Sequence, residues 1–251
     1  MNYPGFSIKR DSTHADIVRA VQQQLNAVGC GPIGIDGGFG DDTFNAVQLF
    51  QTRFADAKGN PLAADGIIGP ATWSSLFGSD TVATVDTAPN ALLTEVVNVA
   101  VSKIGVLENP LGSNSGPEVT AYLANVGLAP GNAWCMAFVY SCFKEASANL
   151  GIANPVFRTG GVLDGWENAR GTKISSRDAG DNPSVILPGQ IFIISTGGGH
   201  GHTGLVEKVE NGILTTIEGN TNTGGSREGI GVFRRTARSI SSINVGFIQY
   251  G

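Results

Sequence analysis

Residues 131–146 read GNAWCMAFVYSCFKEA, and they join a turn to an apolar helix that begins at a cysteine. Pro130 and Gly131 interrupt the chain just before that cysteine. The apolar residues behind it have helical spacing: Met136, Val139, Tyr140 and Phe143. We therefore expect Cys135 in the first turn, where unpaired backbone N–H groups and the helix dipole favour a thiolate. A lone cysteine there is more often a buried core residue, so a nucleophile requires partners elsewhere.

The composition is that of a folded protein of moderate charge. The chain has 251 residues, 41% hydrophobic and 15% charged, which is enough for one large or two small domains. A net charge of −5 without a visible basic face argues against nucleic acid as a partner. We interpret the arginines near the end of the chain as strand-edge solubility residues: Arg227, Arg234, Arg235 and Arg238. No apolar run is as long as a membrane span, so we expect no membrane insertion.

The cysteine count and the first residues bear on the compartment. Three cysteines, an odd number, argue against a disulfide scaffold, and we expect Cys142 to be buried packing. The N-terminus has no basic segment followed by an apolar one. We therefore expect a protein made in the cytoplasm without a signal peptide. As a separate expectation, it acts as a monomer.

Helical patterns come first along the chain and strand patterns follow. The helical stripes include one over residues 15–28, one over residues 44–54 and one that starts at Gly69 and Pro70. From residue 188 onward the pattern is that of strands: residues 190–195, 202–209, 213–220, 231–235 and 245–250. The order predicts an α+β fold, with helices packed on an antiparallel β-sheet and a small three-helix domain before it.

A short motif, D-G-x-x-G-x-x-T, occurs twice, at residues 36–43 and 65–72. Each copy is a glycine-rich turn that leads into a helix, with an Asp side chain able to bind turn amides. The spacing lacks the alternating ligands and terminal Glu of an EF-hand, so we interpret both copies as turns. We expect Trp73, just behind the second copy, in the core.

The region around these turns resembles the small three-helix peptidoglycan-binding domain found on many cell-wall hydrolases. The resemblance covers residues 15–78 and includes Leu25, Gly29, Trp73 and Leu76. It implies peptidoglycan as a partner. Residues 79–90 are rich in Thr, Ser, Asp and Pro and lack periodicity, which is typical of a linker. The predicted domains are therefore 1–78, a linker at 79–90, and 91–251.

The hairpin at residues 210–212 suggests which side chains share a face of the sheet. A three-residue loop with Gly212 in the left-handed position would place His202 opposite Asn220, with Glu218 diagonal to it. A two-residue loop would send these side chains to the other face. Under the first interpretation an imidazole has a carboxylate and a carboxamide beside it, which is what a thiolate's base requires.

The chain has three histidines, so the choice of base is narrow. His14 lies in the N-terminal domain, and His200 lies in a glycine-rich turn that we expect to be exposed. His202 opens an apolar strand, and we favour it as the base. The alternative is metal binding by His200 and His202, for which no third or fourth ligand has suitable spacing.

Several motifs of the second domain resemble the CHAP family, the cysteine- and histidine-dependent amidohydrolases/peptidases of bacterial cell walls. They are the Trp-Cys pair that opens a helix, P-G-x-I-F-I followed by G-H-T-G-L-V-E, and I-E-G-N-T, within about residues 94–250. The resemblance implies a papain-like domain with Cys135 as nucleophile and His202 as base. It implies Glu218 as the orienting residue and Asn220 as an auxiliary polar member. The NlpC/P60 peptidases share this layout, but the E-G-N ending favours CHAP.

The reaction implied is acyl transfer from an amide of peptidoglycan to the cysteine. The N–H of Cys135, with a contribution from Asn132 or Trp134, would stabilise the oxyanion. The chain lacks the Asp-x-Asp-Gly loop that some relatives use for calcium, so we expect no metal and no cofactor. Glu108 belongs to a polar segment with Ser113 and Asn114 whose role, groove floor or simple turn, stays open.

Several alternatives remain open at this level. The enzyme could be an N-acetylmuramoyl-L-alanine amidase or an endopeptidase. The expected setting is a phage endolysin released through a holin pore, with an amidase effector delivered by a secretion system second and a housekeeping autolysin third. A non-catalytic wall-binding protein with a decayed CHAP domain is the alternative from another class, which the intact Cys, His, Glu and Asn set disfavours.

Overall fold

A computed structural model describes residues 1–222 and 229–251 of the chain. The chain divides into two compact units. The first comprises Met1–Thr84, Gly180–Val185 and Glu210–Gly212, and the second comprises Val85–Ala179, Ile186–Val209 and Ile213–Gly251. The domain boundaries inferred from the sequence stay predictions. No helix in the described part of the chain is long and apolar enough to cross a membrane.

The first unit contains three α-helices where the sequence predicts them: α1 (Ala15–Ala27), α2 (Asp41–Arg53) and α3 (Pro70–Phe77). Helix α3 begins at a proline, which needs no N–H partner in the first turn. Trp73 is fully buried in the core of this unit, as expected, and stacks on Phe77. A 3₁₀-helix over Ser79–Thr81 follows, and Val82 packs into the same core.

A buried glutamine on α1 organises the first of the two Asp-Gly turns. Gln22 donates from Nε2 to Asp36 Oδ1 at 2.8 Å, to the Gly38 carbonyl at 3.0 Å and to Thr43 Oγ1 at 3.0 Å. Its Oε1 accepts the N–H of Gly37 at 2.9 Å. Gly37 has φ +83, and a Cβ there would lie 2.9 Å from a carbonyl of α1, so glycine is required. One side chain thus satisfies most of the turn's polar groups.

Helix α2 repeats this arrangement with the same sequence separations. Gln51 donates to Asp65, to the Ile67 carbonyl and to Thr72, and it accepts the N–H of Gly66 at 2.9 Å. The Asp-Gly motifs are turns, as the sequence predicts. The glutamine that links each turn to the preceding helix was not recognised, because it lies outside the motif.

The second unit is an α+β structure, as predicted. Its helices are α4 (Ala91–Ser102), α5 (Pro117–Asn125), α6 (Cys135–Asn149) and α7 (Val162–Glu167). Helix α8 (Ser176–Asp181) begins in this unit and ends in the first. The strands are β1 (Thr172–Ser175), β2 (Ile191–Gly197), β3 (His200–Glu210), β4 (Ile213–Thr221), β5 (Gly231–Ser239) and β6 (Gly246–Gln249). Among the described residues they form one six-stranded sheet in the order β1-β6-β2-β3-β4-β5. A short 3₁₀-helix lies at Ile240–Ser242, and another, at Pro183–Val185, belongs to the first unit.

Helix α6 is the central element of this unit. It contacts α4, α5 and β4, and its side chains are buried on several sides, with Phe138 and Phe143 fully enclosed. Burying each such ring stabilises the fold by about 2–3 kcal/mol. Gly219 of β4 packs directly against α6, since a Cβ there would lie 2.6 Å from Phe138 Cβ. The sheet therefore holds the start of α6 by close backbone packing.

Three short elements were not predicted from the sequence: α7, β1 and α8. Each has six residues or fewer, which is too short for a periodicity to show. The glycine-rich turn is also shorter than expected, because β2 extends to Gly197 and β3 begins at His200. His200 is exposed, as expected, but it lies in a strand.

The hairpin between β3 and β4 differs from the prediction. Its loop has two residues, Asn211 and Gly212, with φ +51 and +73, the values of a type I′ turn. The expected three-residue loop is therefore wrong. In a regular hairpin this loop would place His202 and Glu218 on opposite faces of the sheet.

Strand β3 is irregular, and the irregularity returns His202 to the same face of the sheet as Glu218, as predicted. The N–H of Val206 donates to the carbonyl of Gln190, and Val209 exchanges both backbone bonds with Val85. The backbone groups of both residues therefore point away from β4. In a regular strand, residues that point away from the same neighbour are separated by an even number of positions. Because the two lie three residues apart, β3 must contain an extra residue between them, which is a β-bulge.

Candidate active site

Cys135 is the first residue of α6, as predicted. Its side chain is buried, and the turn before it contains Gly131 with φ +95. The first N–H groups of an α-helix have no intrahelical partner, and the N-cap residue, Trp134, supplies no side-chain cap for them. Cys142, about two turns further along α6, is fully buried, and burial raises the pKa of its thiol.

The bulge in β3 brings His202 and Glu218 together. His202 Nε2 lies 2.7 Å from Glu218 Oε2, and Cys135 lies close enough to the imidazole to raise its pKa. The His202 side chain is 16% exposed and that of Glu218 is fully buried. Imidazole and carboxylate are thus hydrogen-bonded, with the cysteine beside the imidazole.

The ionisation of this pair follows from its contacts. Burial lowers the pKa of His202, but hydrogen bonds to Cys135 and Glu218 and their negative charges outweigh it, raising the pKa to about 9. Burial raises the pKa of Glu218, but the bond from His202 and the charge of Arg238 outweigh it, lowering the pKa to about 2. Near neutral pH the pair is an imidazolium and a carboxylate.

Arg238 belongs to this site, contrary to the sequence interpretation. Its Nε and Nη2 each lie 2.8 Å from a different oxygen of Glu218, and its guanidinium lies 4.8 Å from the centre of the Phe192 ring. Its side chain is only 11% exposed. The surface interpretation fits Arg234, whose exposed guanidinium pairs with Glu207. Arg227 lies outside the described residues.

Asn220 reaches the start of α6 from the end of β4. It has φ +54, where asparagine is better tolerated than most residues, and the register of β4 on β5 shifts around it. Among the described residues its hydrogen bonds go to other partners than the imidazole. Oδ1 accepts the N–H of Trp134 at 3.4 Å, and Nδ2 donates to Asn114 Oδ1 at 2.9 Å and to the Gly229 carbonyl at 3.4 Å.

Comparison with known families agrees with this geometry. Residues 127–220 match the model of the CHAP domain, and residues 14–76 match that of the peptidoglycan binding domain. The chain is a modular peptidoglycan hydrolase. Its CHAP domain contains Cys135, His202 and Glu218, and its peptidoglycan-binding domain contains both Asp-Gly turns. Peptidoglycan is therefore its partner and the bacterial cell wall its place of action.

One solved structure shows a distant similarity to this hydrolase. It is described as the crystal structure of Burkholderia AP3 phage endolysin and is 21% identical in sequence. The alignment covers 65% of this chain and 73% of that chain, with a TM-score of 0.28.

The polar segment before the CHAP motif closes a ring of hydrogen bonds around Trp134. Glu108, which is buried, accepts the indole N–H of Trp134 at 2.9 Å through Oε1 and the N–H of Asn114 at 3.0 Å through Oε2. Asn114 accepts from Asn220, which accepts the backbone N–H of Trp134. Glu108 and Asn114 thus support the start of α6, whereas Ser113 bonds to Pro110 within its own turn.

The remaining candidates lie apart from Cys135, His202 and Glu218. Asn132 is exposed, and its Nδ2 donates to the Ala129 carbonyl within the turn. His14 packs against Phe6 in the first unit. Within residues 1–222 and 229–251, no group of three or more His, Cys, Asp or Glu side chains is placed to hold a metal ion. The absence of metal and cofactor stays a prediction.

Proposed function

We propose that the CHAP domain hydrolyses an amide bond of peptidoglycan, with Cys135 as nucleophile and His202 as general base and acid. Glu218 orients the imidazole, and Asn220 is the auxiliary polar residue. The observation that carries the proposal is the bond of 2.7 Å between His202 Nε2 and Oε2 of the buried Glu218, with Cys135 beside the imidazole at the start of α6. This is the order of nucleophile, base and orienting group that acyl transfer requires.

The first step is attack on the amide. The thiolate of Cys135 is the nucleophilic form of cysteine, and the imidazolium of His202 is the partner that stabilises it. The sulfur bonds to the carbonyl carbon, and the carbonyl oxygen takes the negative charge. The N–H of Cys135 is a free donor of the first turn of α6 and would bind this oxyanion. Trp134 and Asn132 stay secondary candidates for that role.

The second half of the reaction releases both products. The tetrahedral intermediate collapses, His202 gives its proton to the departing amine, and the acyl group stays on the sulfur as a thioester. Neutral His202 then takes a proton from water, whose oxygen attacks the thioester. The acid leaves, and thiolate and imidazolium are restored. Glu218 stays ionised throughout, consistent with its pKa of about 2.

Clearing of purified cell walls tests this proposal. Cys135→Ala should abolish the fall in turbidity, because the thiolate is lost. Cys142→Ala is the matched control, because it removes a buried thiol from the same helix, about two turns away from Cys135. It should retain clearing. Equal clearing by wild type and Cys135→Ala would contradict a cysteine nucleophile, and a wild type that binds walls without clearing them would favour the decayed alternative.

The bond that is cut defines the enzyme's class. We propose an N-acetylmuramoyl-L-alanine amidase or an endopeptidase, since both reactions hydrolyse amides and both suit this site. Mass spectrometry of the released fragments distinguishes them. Free glycan chains without peptide indicate the amidase, whereas stem peptides cut within the stem or its bridge indicate the endopeptidase.

For the biological setting we propose a bacteriolytic phage endolysin that acts as a monomer without nucleic acid or membrane insertion. The alternative is an amidase effector delivered by a secretion system. Production in bacterial cytoplasm, with and without a co-expressed pore-forming holin, tests the route. Lysis only with the pore supports release from inside the cell, and lysis without it contradicts that route.

A further inference from the structure

We propose that Arg238 is a positioning residue that holds Glu218 ionised and aimed at His202, so that Cys135 and His202 can exist as an ion pair. This inference rests on the proposed function and adds a residue to it. It concerns a side chain of β5, outside the matched region of residues 127–220.

The geometry leaves Glu218 a single orientation. Arg238 binds both carboxylate oxygens through two nitrogens at 2.8 Å, and Thr216 donates to Oε1 at 2.6 Å. Oε2 is thereby left to face His202. A planar guanidinium fork fixes a carboxylate in both position and rotation, which a single ammonium cannot do. Phe192 lies under the guanidinium and restrains it in turn.

The charges of the cluster balance only when Arg238 is present. Among the described residues, the charged or titratable groups in contact with His202 and Glu218 are Cys135 from α6 and Arg238 from β5. With a thiolate, an imidazolium, a carboxylate and a guanidinium, the buried cluster has no net charge. Without the guanidinium, the same state has one uncompensated negative charge, which is costly in a buried site.

A second arginine of β5 provides a matched control. Arg234 binds Glu207 through Nε and Nη2 at 2.7 and 2.8 Å, the same forked geometry on the same strand. Its side chain is 42% exposed, and its carboxylate does not contact His202. Replacing Arg234 removes the same kind of ion pair from solvent and leaves the Cys135 cluster unchanged.

The test is the pH dependence of Cys135 alkylation by iodoacetamide in the full chain, measured on the Cys135 peptide by mass spectrometry. Loss of the guanidinium disfavours the thiolate, so in Arg238→Gln the acidic limb of the profile should move up by about one pH unit or more. At a fixed pH on that limb, Cys135 of Arg238→Gln should be alkylated about tenfold more slowly than Cys135 of the wild type. Arg234→Gln should follow the wild type. An Arg238→Gln profile identical to the wild type would overturn the proposal.

Arg238→Lys keeps the test decisive if Arg238→Gln does not fold. The ammonium retains the positive charge, so the acidic limb of the alkylation profile should stay in place. The ammonium cannot, however, hold both oxygens of Glu218. Wall clearing should therefore fall about tenfold or more. A folded Arg238→Lys with wild-type clearing contradicts the positioning role. Because alkylation needs no substrate, a wild type that fails to clear walls would refute the proposed function without affecting this measurement.

Discussion

Gln22→Ala should destabilise the peptidoglycan-binding domain, because Gln22 of α1 binds the polar groups of the Asp-Gly turn at residues 36–43. The substitution removes four hydrogen bonds, to Asp36, Gly37, Gly38 and Thr43. Asp36 is exposed and can bind water instead, but the N–H of Gly37 and the bond to Thr43 are buried. Each buried polar group left unsatisfied costs about 1–3 kcal/mol. We expect a loss of about 2–4 kcal/mol.

Two measurements on the full chain check this value. Urea unfolding reports the loss of stability, and amide hydrogen exchange of residues 36–43 reports whether the turn opens. The substitution should also raise the pKa of Asp36 toward its ordinary value, because the bond from Gln22 is the largest of the contacts that lower it. Proton NMR titration of Asp36 provides that readout independently of unfolding.

Gln23→Ala is the control, because Gln23 is an exposed neighbour on the same helix. It should change stability by less than about 0.5 kcal/mol. Gln51→Ala should repeat the loss seen with Gln22→Ala, since its bonds have the same pattern. If Gln22→Ala is as stable as Gln23→Ala, with unchanged exchange at residues 36–43, the buried network does not hold the turn.

Two further predictions concern the CHAP domain. In Glu218→Gln the pKa of His202 should fall from about 9, so the alkaline limb of wall clearing should move down by about one pH unit or more; an unmoved limb contradicts the carboxylate's role. Because the pKa of His202 is raised in the folded protein, the imidazolium contributes to folding stability. This contribution is complete below the ordinary pKa of 6.5 and is lost as the pH rises through about 9. Gly219→Ala should destabilise the domain by about 1–3 kcal/mol in thermal unfolding, because the new Cβ would lie 2.6 Å from Phe138 Cβ. Gly34→Ala, with nothing within 4 Å of its Cβ, is the control, and an equal effect of both substitutions would argue against close packing at β4.

The hairpin illustrates where sequence reasoning was right for an incomplete reason. Turn chemistry at Asn211 and Gly212 is local, and the type I′ turn is the one that this dipeptide favours. The predicted loop was one residue too long, but the predicted contact between His202 and Glu218 is present. A bulge in β3 compensates for the shorter loop. Its position depends on what Val206 and Val209 bond to across the sheet, which the strand's own residues do not specify.

The sequence by itself determined the features that depend on neighbouring residues. These are the helix that begins at Cys135, the Asp-Gly turns, the order of helices before strands, and the two families that the motifs resemble. Periodicity and turn chemistry act over a few residues and are therefore legible in the chain.

Only the tertiary structure decided which distant side chains meet. A buried carboxylate such as Glu218 requires a cation, and the sequence offered several arginines near the end of the chain without distinguishing Arg238 from Arg234. The choice depends on the register shift between Leu214 and Thr216, which directs one arginine toward the site and the other toward solvent. Glu108 reached Trp134 in the same way, through contacts between segments that are far apart in sequence.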